Sequence, residues 1–259
     1  MSEYWSAGPG LPALGHPWLR GDGLFETLKT VKGIPYFLDR HLARLSRSAM
    51  ALLFSVPDLN LISSKVREVA GSSGWNMGRL RLTYFSHGEF LISHEELVID
   101  DAKEFSLGIS PHRRYASDFI SQHKTLSYTV AAFGLRDAAQ SGHDDLLYLN
   151  ETGEVVETGL ANILVEIDGK LLTPRMASGI LPGIVRGILL EWFSQIEEAR
   201  LLIDDVKSAS GLYLLSSIRE LQLISTLDTG EERLSYRESE AVKTMRQSYL
   251  DRSQTLANS

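Results

Sequence analysis

The chain has 259 residues, and its 43% hydrophobic and 23% charged content is that of an ordinary globular protein. A net charge of −7 with interspersed signs excludes the basic stripe of a nucleic-acid-binding protein. The absence of cysteine excludes disulfides, thiol nucleophiles and cysteine-ligated metals, and we predict no metal site. Because no signal peptide or membrane-length apolar run is visible, we expect a cytoplasmic protein without nucleic-acid or membrane partners.

The N-terminal part is predicted to form a small α/β domain over residues 1–99. Residues 1–20 are rich in Gly, Pro and Trp and are expected to form an irregular arm. Alternating and helical apolar spacings define the elements that follow. We predict strands over Leu24–Val31, Ile34–Phe37, Arg79–Tyr84 and Glu89–Ile99, and helices from after Asp39 to before Pro57 and from Leu59 to Gly71 or Gly74.

Residues 100–104 are charged and non-periodic, which indicates a linker to a larger α/β domain over residues 105–259. Asp168-Gly169 predicts a type I′ hairpin turn, and Ser235 with Glu238 predicts a capping box that opens the last helix. Further helices are predicted over Tyr128–Gln140 and Ile184–Glu198, and strands over Phe105–Ser110, Asp145–Leu149, Val155–Glu157, Asn162–Ile167, Leu171–Leu172, Tyr213–Ser216 and Leu221–Ser225. The fold class is therefore α+β, a mixed α/β protein with two domains.

Three features could together hold an aldehyde cofactor with a pyridine ring and a phosphate. Lys124 lies in a mostly apolar context before a helix-like segment, and a desolvated lysine amine is a nucleophile. Glu157 ends a strand, and Gly183 precedes a helix whose first amides would form an anion site. Each also has an ordinary interpretation, as a surface lysine, a solvent-facing strand residue and a well-punctuated helix start. Pyridoxal 5'-phosphate (PLP) is the cofactor that fits all three.

Five segments, in order along the chain, resemble the class IV aminotransferase family, the fold-type IV PLP enzymes. They are Gly21–Thr27, His41–Leu45, the segment around Lys124, the strand with Glu157 and Asn162, and Leu181–Val185. The resemblance covers nearly the whole chain. It implies a two-domain fold with PLP between the domains and a homodimer whose partner subunit contributes to each site.

The resemblance also implies the roles of individual residues. Lys124 would form the Schiff base, and Glu157 would pair with the pyridine nitrogen. The phosphate would be bound by Arg44, by the loop of Gly183 with the amides of Ile184 and Val185, and by the Ser217 hydroxyl. Tyr128, one helical turn after Lys124 if that segment is helical, would lie near the cofactor. Arg44 is expected at the start of its helix, where its guanidinium suits a phosphate. The ordinary alternatives are a surface arginine on an amphipathic helix for Arg44 and a core tyrosine for Tyr128.

Within the family, the sequence favours the 4-amino-4-deoxychorismate lyases, which make 4-aminobenzoate for folate. The chain is short for a branched-chain aminotransferase, and Thr158 and Ala161 resemble lyase variants. Val185 replaces the threonine of the common glycine-isoleucine-threonine loop. Arg79 and Arg81 alternate onto one strand face and could bind a substrate carboxylate. An aminotransferase for branched-chain or D-amino acids is the alternative, and a PLP-free binding protein is a minor one.

Overall fold

The computed structural model describes residues 3–6, 17, 20–100 and 102–257. These residues divide into two compact units. Unit 1 comprises the described residues up to Ile99, the segment His123–Tyr128 and the residues from Ser253, whereas unit 2 comprises Asp100–Gln122 and Thr129–Arg252. The sequence assigned Lys124 to the larger domain, but its segment packs with unit 1. The domain limits at residues 99 and 105 stay a prediction.

The described part of unit 1 contains a five-stranded sheet and two long helices. Its elements are β1 (Glu3–Ser6), β2 (Gly23–Val31), β3 (Ile34–Pro35), α1 (Leu38–Ala51), α2 (Leu59–Ser72), β4 (Met77–Phe85) and β5 (Phe90–Glu96). The strand order is β1-β5-β4-β2-β3, and the long pairings are antiparallel. Alternate residues such as Leu24, Leu28, Leu80 and Leu82 form the core with apolar residues of α1 and α2. Phe25, which alternates with Leu24 along β2, lies on the opposite face of the sheet.

Most predicted elements of unit 1 are confirmed, with differences at their ends. Strand β3 stops at Pro35, and α1 begins at Leu38, ahead of the predicted start, after Phe37 with a positive φ of 53°. The region predicted as an irregular arm contains strand β1, which pairs with β5. The rest of that arm lies largely outside the described residues.

Unit 2 contains two five-stranded sheets. Its strands are β6 (Ser106–Arg114), β7 (Asp145–Asn150), β8 (Val155–Thr158), β9 (Asn162–Ile167), β10 (Lys170–Pro174), β11 (Ile196–Ala199), β12 (Gly211–Ser216), β13 (Glu220–Leu223), β14 (Thr226–Asp228) and β15 (Arg233–Ser235), and its helices are α3 (Thr129–Gln140), α4 (Ile184–Trp192), α5 (Ile203–Lys207) and α6 (Glu240–Ala257). The sheet orders are β11-β10-β9-β12-β13 and β15-β14-β6-β7-β8. Apolar residues from both sheets share one core. The last residues of α6, from Ser253, pack with unit 1.

The hairpin predicted at Asp168-Gly169 is confirmed. Both residues have positive φ, 50° and 75°, as a type I′ turn requires, and the turn joins the antiparallel strands β9 and β10. Gly169 adopts this conformation without the steric cost that a side chain would bring. The turn fixes the register of β9, whose first residue, Asn162, belongs to the candidate site.

Two predicted helices of unit 2 are corrected. Helix α4 ends at Trp192 because Phe193 adopts an extended conformation, and Ile196–Ala199 forms β11, parallel to β10. Ser235 ends a strand, so the predicted capping box does not form there. The last helix begins at Glu240, where the Ser239 hydroxyl accepts a hydrogen bond from the Val242 amide.

The α+β fold class is confirmed by three sheets and the helices that pack with them. Within the described ranges, no helix combines the length and apolar character that crossing a bilayer requires.

Candidate active site

Lys124 lies in an extended segment that pairs with the first half of β2. The Phe25 amide donates to the Lys124 carbonyl at 2.8 Å, and the Leu126 amide donates to the Gly23 carbonyl at 2.8 Å. The helical geometry considered for Lys124 to Tyr128 is therefore wrong, since helix α3 begins only at Thr129. Backbone pairing holds the lysine beside Phe25 because short β3 pairs only with the far end of β2.

The Lys124 amine lies among aromatic side chains of unit 1. Its Nζ is 4.4 Å from the Phe25 ring centroid and 6.0 Å from that of Tyr128, and the two rings meet edge to face at 5.2 Å. Lys124 is half-buried. The amine therefore lies against ring surfaces and is partly shielded from water. Tyr128 therefore lies near Lys124 Nζ, the predicted reactive atom, although the segment between them is extended and not helical.

Arg79 and Arg81 share the sheet face predicted for them but differ in surroundings. Arg79 is exposed and donates to Glu95 at 2.6 Å. Arg81 is half-buried, and its Cζ lies 3.8 Å from the Phe25 centroid. No acidic side chain of the described chain pairs with Arg81. Burial lowers the pKa of Arg81 below its ordinary value, so this guanidinium would gain from an anionic ligand.

Arg44 belongs to a buried polar group on the core face of unit 1. Its Nε and Nη2 donate to Glu26 Oε1 and Oε2 at 2.9 and 2.6 Å. His41 Nδ1 lies 2.7 Å from Glu26 Oε2, and because an ionised carboxylate only accepts, this nitrogen carries the hydrogen. Arg44 lies in the middle of α1, so the prediction that it stands at the helix start is wrong. Its predicted phosphate role stays a prediction.

The protonation of Glu26 is set mainly by its pairing with Arg44 and His41. Burial alone would raise the pKa of Glu26, but Arg44 and His41 lower it to about 2. Burial lowers the pKa of His41, although Glu26 opposes that shift. At neutral pH the Glu26 carboxylate is therefore ionised and His41 is neutral. The two hydrogen bonds from Arg44 to this carboxylate hold the guanidinium in a fixed orientation.

Glu157 occupies a polar cluster of unit 2. Its Oε2 accepts from Asn162 Nδ2 at 2.7 Å and from the Leu181 amide at 3.1 Å, while Oε1 accepts from Arg114. Arg114 also donates to the Thr158 carbonyl at 3.2 Å. Glu157 is only 6% exposed, so its interpretation as a solvent-facing residue is wrong. These donors fix the position of the carboxylate, and an acidic group so held is suited to pair with a pyridine nitrogen.

The start of α4 lies beside the same cluster. Asn162 Nδ2 also donates to the Leu181 carbonyl at 3.0 Å, and a Cβ at Gly183 would overlap Asn162 Oδ1. Gly183 provides no side-chain cap, and the first turn has no acidic residue. Ile184 and Val185 therefore open an uncapped helix whose amides suit a phosphate.

Ser217 lies at the corresponding end of the sheet. Leu215 of β12 pairs with Asn162 of β9, and Ser217 follows in the next turn. The predicted residues thus form two sets. Lys124, Tyr128, Arg44, Arg79 and Arg81 belong to unit 1, whereas Glu157, Gly183, Ile184, Val185 and Ser217 belong to unit 2.

The residues present fit PLP by the chemistry of their side chains. A half-buried amine, a buried carboxyl group and an uncapped helix start match the aldehyde, the pyridine nitrogen and the phosphate. The sequence analysis missed Glu26, whose partners Arg44 and His41 only the structure shows, and Arg114, which lies beyond the predicted end of its strand at Ser110. The signal available for Glu26 was an acidic residue at a core-facing position, between Leu24 and Leu28.

The comparisons with known proteins identify the family. The family model described as amino-transferase class IV matches residues 23–227. The chain is 30% identical over 254 residues to the "Bifunctional aminodeoxychorismate lyase / D-amino acid transaminase" of Mycobacterium tuberculosis, covering 85% of this chain and 88% of that protein. It is 23% identical over 260 residues to the "Probable branched-chain-amino-acid aminotransferase" of Rickettsia bellii, covering 92% and 89%.

A solved structure gives the same result for the fold and the cofactor. The PLP-bound form of a hypothetical aminotransferase from Mycobacterium tuberculosis matches with a TM-score of 0.80 and 25% identity, over 92% of each chain. The match to the family model spans both units and includes Lys124, Glu157 and Gly183. The chain therefore belongs to the class IV aminotransferase family and is a PLP-dependent enzyme.

Proposed function

We propose that the enzyme is a lyase that converts 4-amino-4-deoxychorismate to 4-aminobenzoate and pyruvate. The observation that carries the proposal is the arrangement around Phe25, where the Lys124 amine lies 4.4 Å and the Arg81 guanidinium 3.8 Å from one ring centroid. An amine, an aromatic surface and a cation suit a flat cyclic substrate with an amino group and carboxylates. The aminodeoxychorismate lyase activity in the name of the Mycobacterium tuberculosis relative supports the choice.

Bound PLP supplies an electron sink for the substrate carbon that bears the amine. Lys124 would take the proton from that carbon as a general base. The electron pair left by the proton forms the aromatic ring as the carbon–oxygen bond to the enolpyruvyl group breaks. The departing enolate gains a proton and leaves as pyruvate, and Lys124 would return to its resting state for the next substrate.

The other predicted residues would bind and orient. Glu157 would keep a proton on the pyridine nitrogen, since Arg114 and Asn162 hold its carboxylate in place. Arg81 would bind a substrate carboxylate because it lacks an acidic partner among the described residues. Arg79, already paired with Glu95, is the weaker candidate.

The phosphate would be bound by the groups that the resemblance assigns. Arg44 would present its guanidinium in the orientation that Glu26 sets. The amides of Ile184 and Val185 after Gly183, and the Ser217 hydroxyl, would donate hydrogen bonds. Tyr128 would form part of the wall around the ring.

An aminotransferase acting on branched-chain or D-amino acids is the second candidate. The Rickettsia bellii relative is named for branched-chain amino acids, and the Mycobacterium tuberculosis relative also carries a D-amino acid transaminase activity in its name. In that reaction Lys124 would move a proton between the substrate carbon and the aldehyde carbon of the cofactor. We further propose a cytoplasmic homodimer, as the family resemblance implies.

The test is product release from 4-amino-4-deoxychorismate, with and without an added α-keto acid. We expect 4-aminobenzoate and pyruvate without the keto acid, and a loss of about 100-fold or more in Lys124→Ala because the general base is removed. Lys65→Ala, which removes a half-buried lysine paired with Glu68, is the control and should retain activity. Turnover of amino acids that depends on the keto acid, with no 4-aminobenzoate release, would establish the aminotransferase instead.

A further inference from the structure

Asp145 is a buried carboxylate without a cationic partner among the described residues. It is the first residue of β7 and is 1% exposed. Its Oδ1 accepts from the amides of Leu146 at 2.8 Å and Gly159 at 3.1 Å, and its Oδ2 accepts from the Leu160 amide at 3.1 Å. Burial raises the pKa of Asp145, although these amides and the Thr158 hydroxyl oppose the shift. A buried carboxylate balanced only by neutral donors is a costly device for holding backbone in place.

The backbone that Asp145 holds is the turn between Glu157 and Asn162. Gly159 and Leu160 belong to the connection from β8 to β9, and the turn closes through the Thr158 amide on the Ala161 carbonyl at 2.8 Å. The Ala161 amide in turn donates to the Thr158 hydroxyl at 3.1 Å. The amides of Thr158, Gly159, Leu160 and Ala161 are therefore all bonded to the turn itself or to Asp145.

The turn sets the geometry of the carboxylate that precedes it. Glu157 adjoins the turn on one side, Asn162 adjoins it on the other, and their side chains meet at 2.7 Å. A shift of the turn would move these two side chains relative to each other. It would also disturb Arg114, which donates to both Glu157 and the Thr158 carbonyl.

Gly159 makes the contact with Asp145 possible. A Cβ built at Gly159 would lie 2.6 Å from Asp145 Oδ1, well inside van der Waals contact. An alanine here would force either the turn or the carboxylate to move. The pair formed by Asp145 and Gly159 thus fits together only in the present arrangement.

We propose that Asp145 is a positioning residue of the active site. It pins the β8–β9 turn so that the Glu157 carboxylate keeps its orientation toward the pyridine nitrogen of PLP. Asp145 acts through the turn and does not itself contact the cofactor. The inference rests on the role proposed above for Glu157 and is independent of whether the enzyme is a lyase or an aminotransferase.

The test is the ¹⁵N chemical shift of the pyridine nitrogen in holoenzyme loaded with ¹⁵N-labelled PLP. In Asp145→Asn an NH₂ group replaces one carboxylate oxygen. In one orientation this group faces the Leu160 amide, donor against donor, and in the other the Gly159 amide loses its acceptor. We expect the shift to move toward that of the unprotonated nitrogen, in the same direction as in Glu157→Gln. We also expect kcat to fall by about 10-fold or more with a smaller change in KM, as for other residues that orient a contacting group.

Asp144→Asn is the matched control. Asp144 is adjacent in sequence and also accepts a backbone hydrogen bond, from the Ser106 amide at 2.9 Å, but it does not contact the turn. It should keep the wild-type nitrogen shift. Gly159→Ala should change the nitrogen shift as Asp145→Asn does, because its methyl group would overlap Asp145 Oδ1. In an Asp145→Ser background the same methyl group should have little further effect, because the overlapping carboxylate is absent.

The outcomes separate the inference from the proposed role of Glu157. A wild-type nitrogen shift and kcat in both Asp145→Asn and Gly159→Ala, with a changed shift in Glu157→Gln, would overturn the role of Asp145 alone. A wild-type shift in Glu157→Gln would contradict the proposed role of Glu157 and the inference with it. Should Asp145→Asn not fold, as judged by its melting transition, Gly159→Ala decides the question.

Discussion

Two buried carboxylates, Glu26 in unit 1 and Asp145 in unit 2, are kept in the fold by different means. Glu26 is paired with Arg44 and His41, and the pairing lowers its pKa to about 2. Asp145 receives only backbone amides and a hydroxyl, and burial raises its pKa. The comparison teaches that counter-charges outweigh desolvation, whereas neutral donors only reduce it. The first carboxylate orients a side chain, and the second orients a turn.

The largest effect is expected from Glu26→Gln. The substitution leaves the Arg44 guanidinium buried without its anionic partner, and breaking a buried pair in this way costs about 3 to 5 kcal/mol of unfolding free energy. Urea denaturation of the wild type and the variant measures the difference. A loss below about 1 kcal/mol would show that unit 1 can solvate Arg44 by rearrangement, and would contradict the view of a tightly coupled pair.

Opposite pH dependences would sharpen the comparison. The Glu26 contribution is complete above its ordinary pKa of 4.5 and is lost as the pH falls toward about 2. Asp145 binds its proton more tightly in the folded state than in the unfolded state. The free-energy cost of burying its charge is therefore relieved as the pH falls through the raised pKa toward 3.8. On acidification, the unfolding free energy of the wild type minus that of Glu26→Gln should therefore decrease. The unfolding free energy of the wild type minus that of Asp145→Asn should increase. Parallel changes in the two differences would refute the assignment.

The smallest effect is expected from Glu95→Gln. Glu95 pairs with Arg79 on the same sheet as Glu26, but both side chains are about half exposed. Such pairs contribute about 0 to 1 kcal/mol, and salt screens them. Thermal melting at low and high salt should show a small loss that disappears in high salt. A loss comparable to that of Glu26→Gln would mean that burial is not what separates the two pairs.

The sequence predicted the elements that show a clear period, and these include every strand that carries a proposed site residue. It failed where tertiary pairing decides the conformation. Ile196–Ala199 became a strand because it pairs with β10, and Lys124 lies in an extended segment because it pairs with β2. Neither partner can be read from the local pattern.

The candidate site was predictable to the extent that single residues carry a motif. Lys124, Glu157 and Gly183 were predicted in this way, and Glu157 and Gly183 lie in one cluster with Asn162. Arg114 was missed because the predicted strand stopped at Ser110, whereas β6 continues past an irregularity to Arg114. Asp145 was missed because a strand-initial aspartate resembles any solvated residue until its amide donors are known.

The pairing of the Lys124 segment with β2 has a consequence for dissecting the protein. The chain completes unit 1 only after it has already begun unit 2, because Leu126 covers Gly23 and bonds to its carbonyl. A fragment that ends at Ile99 would lack that cover and expose the edge of β2 next to Phe25. Separately expressed halves should therefore misfold or aggregate at this edge, and a peptide spanning His123–Tyr128 added in trans should restore the cover.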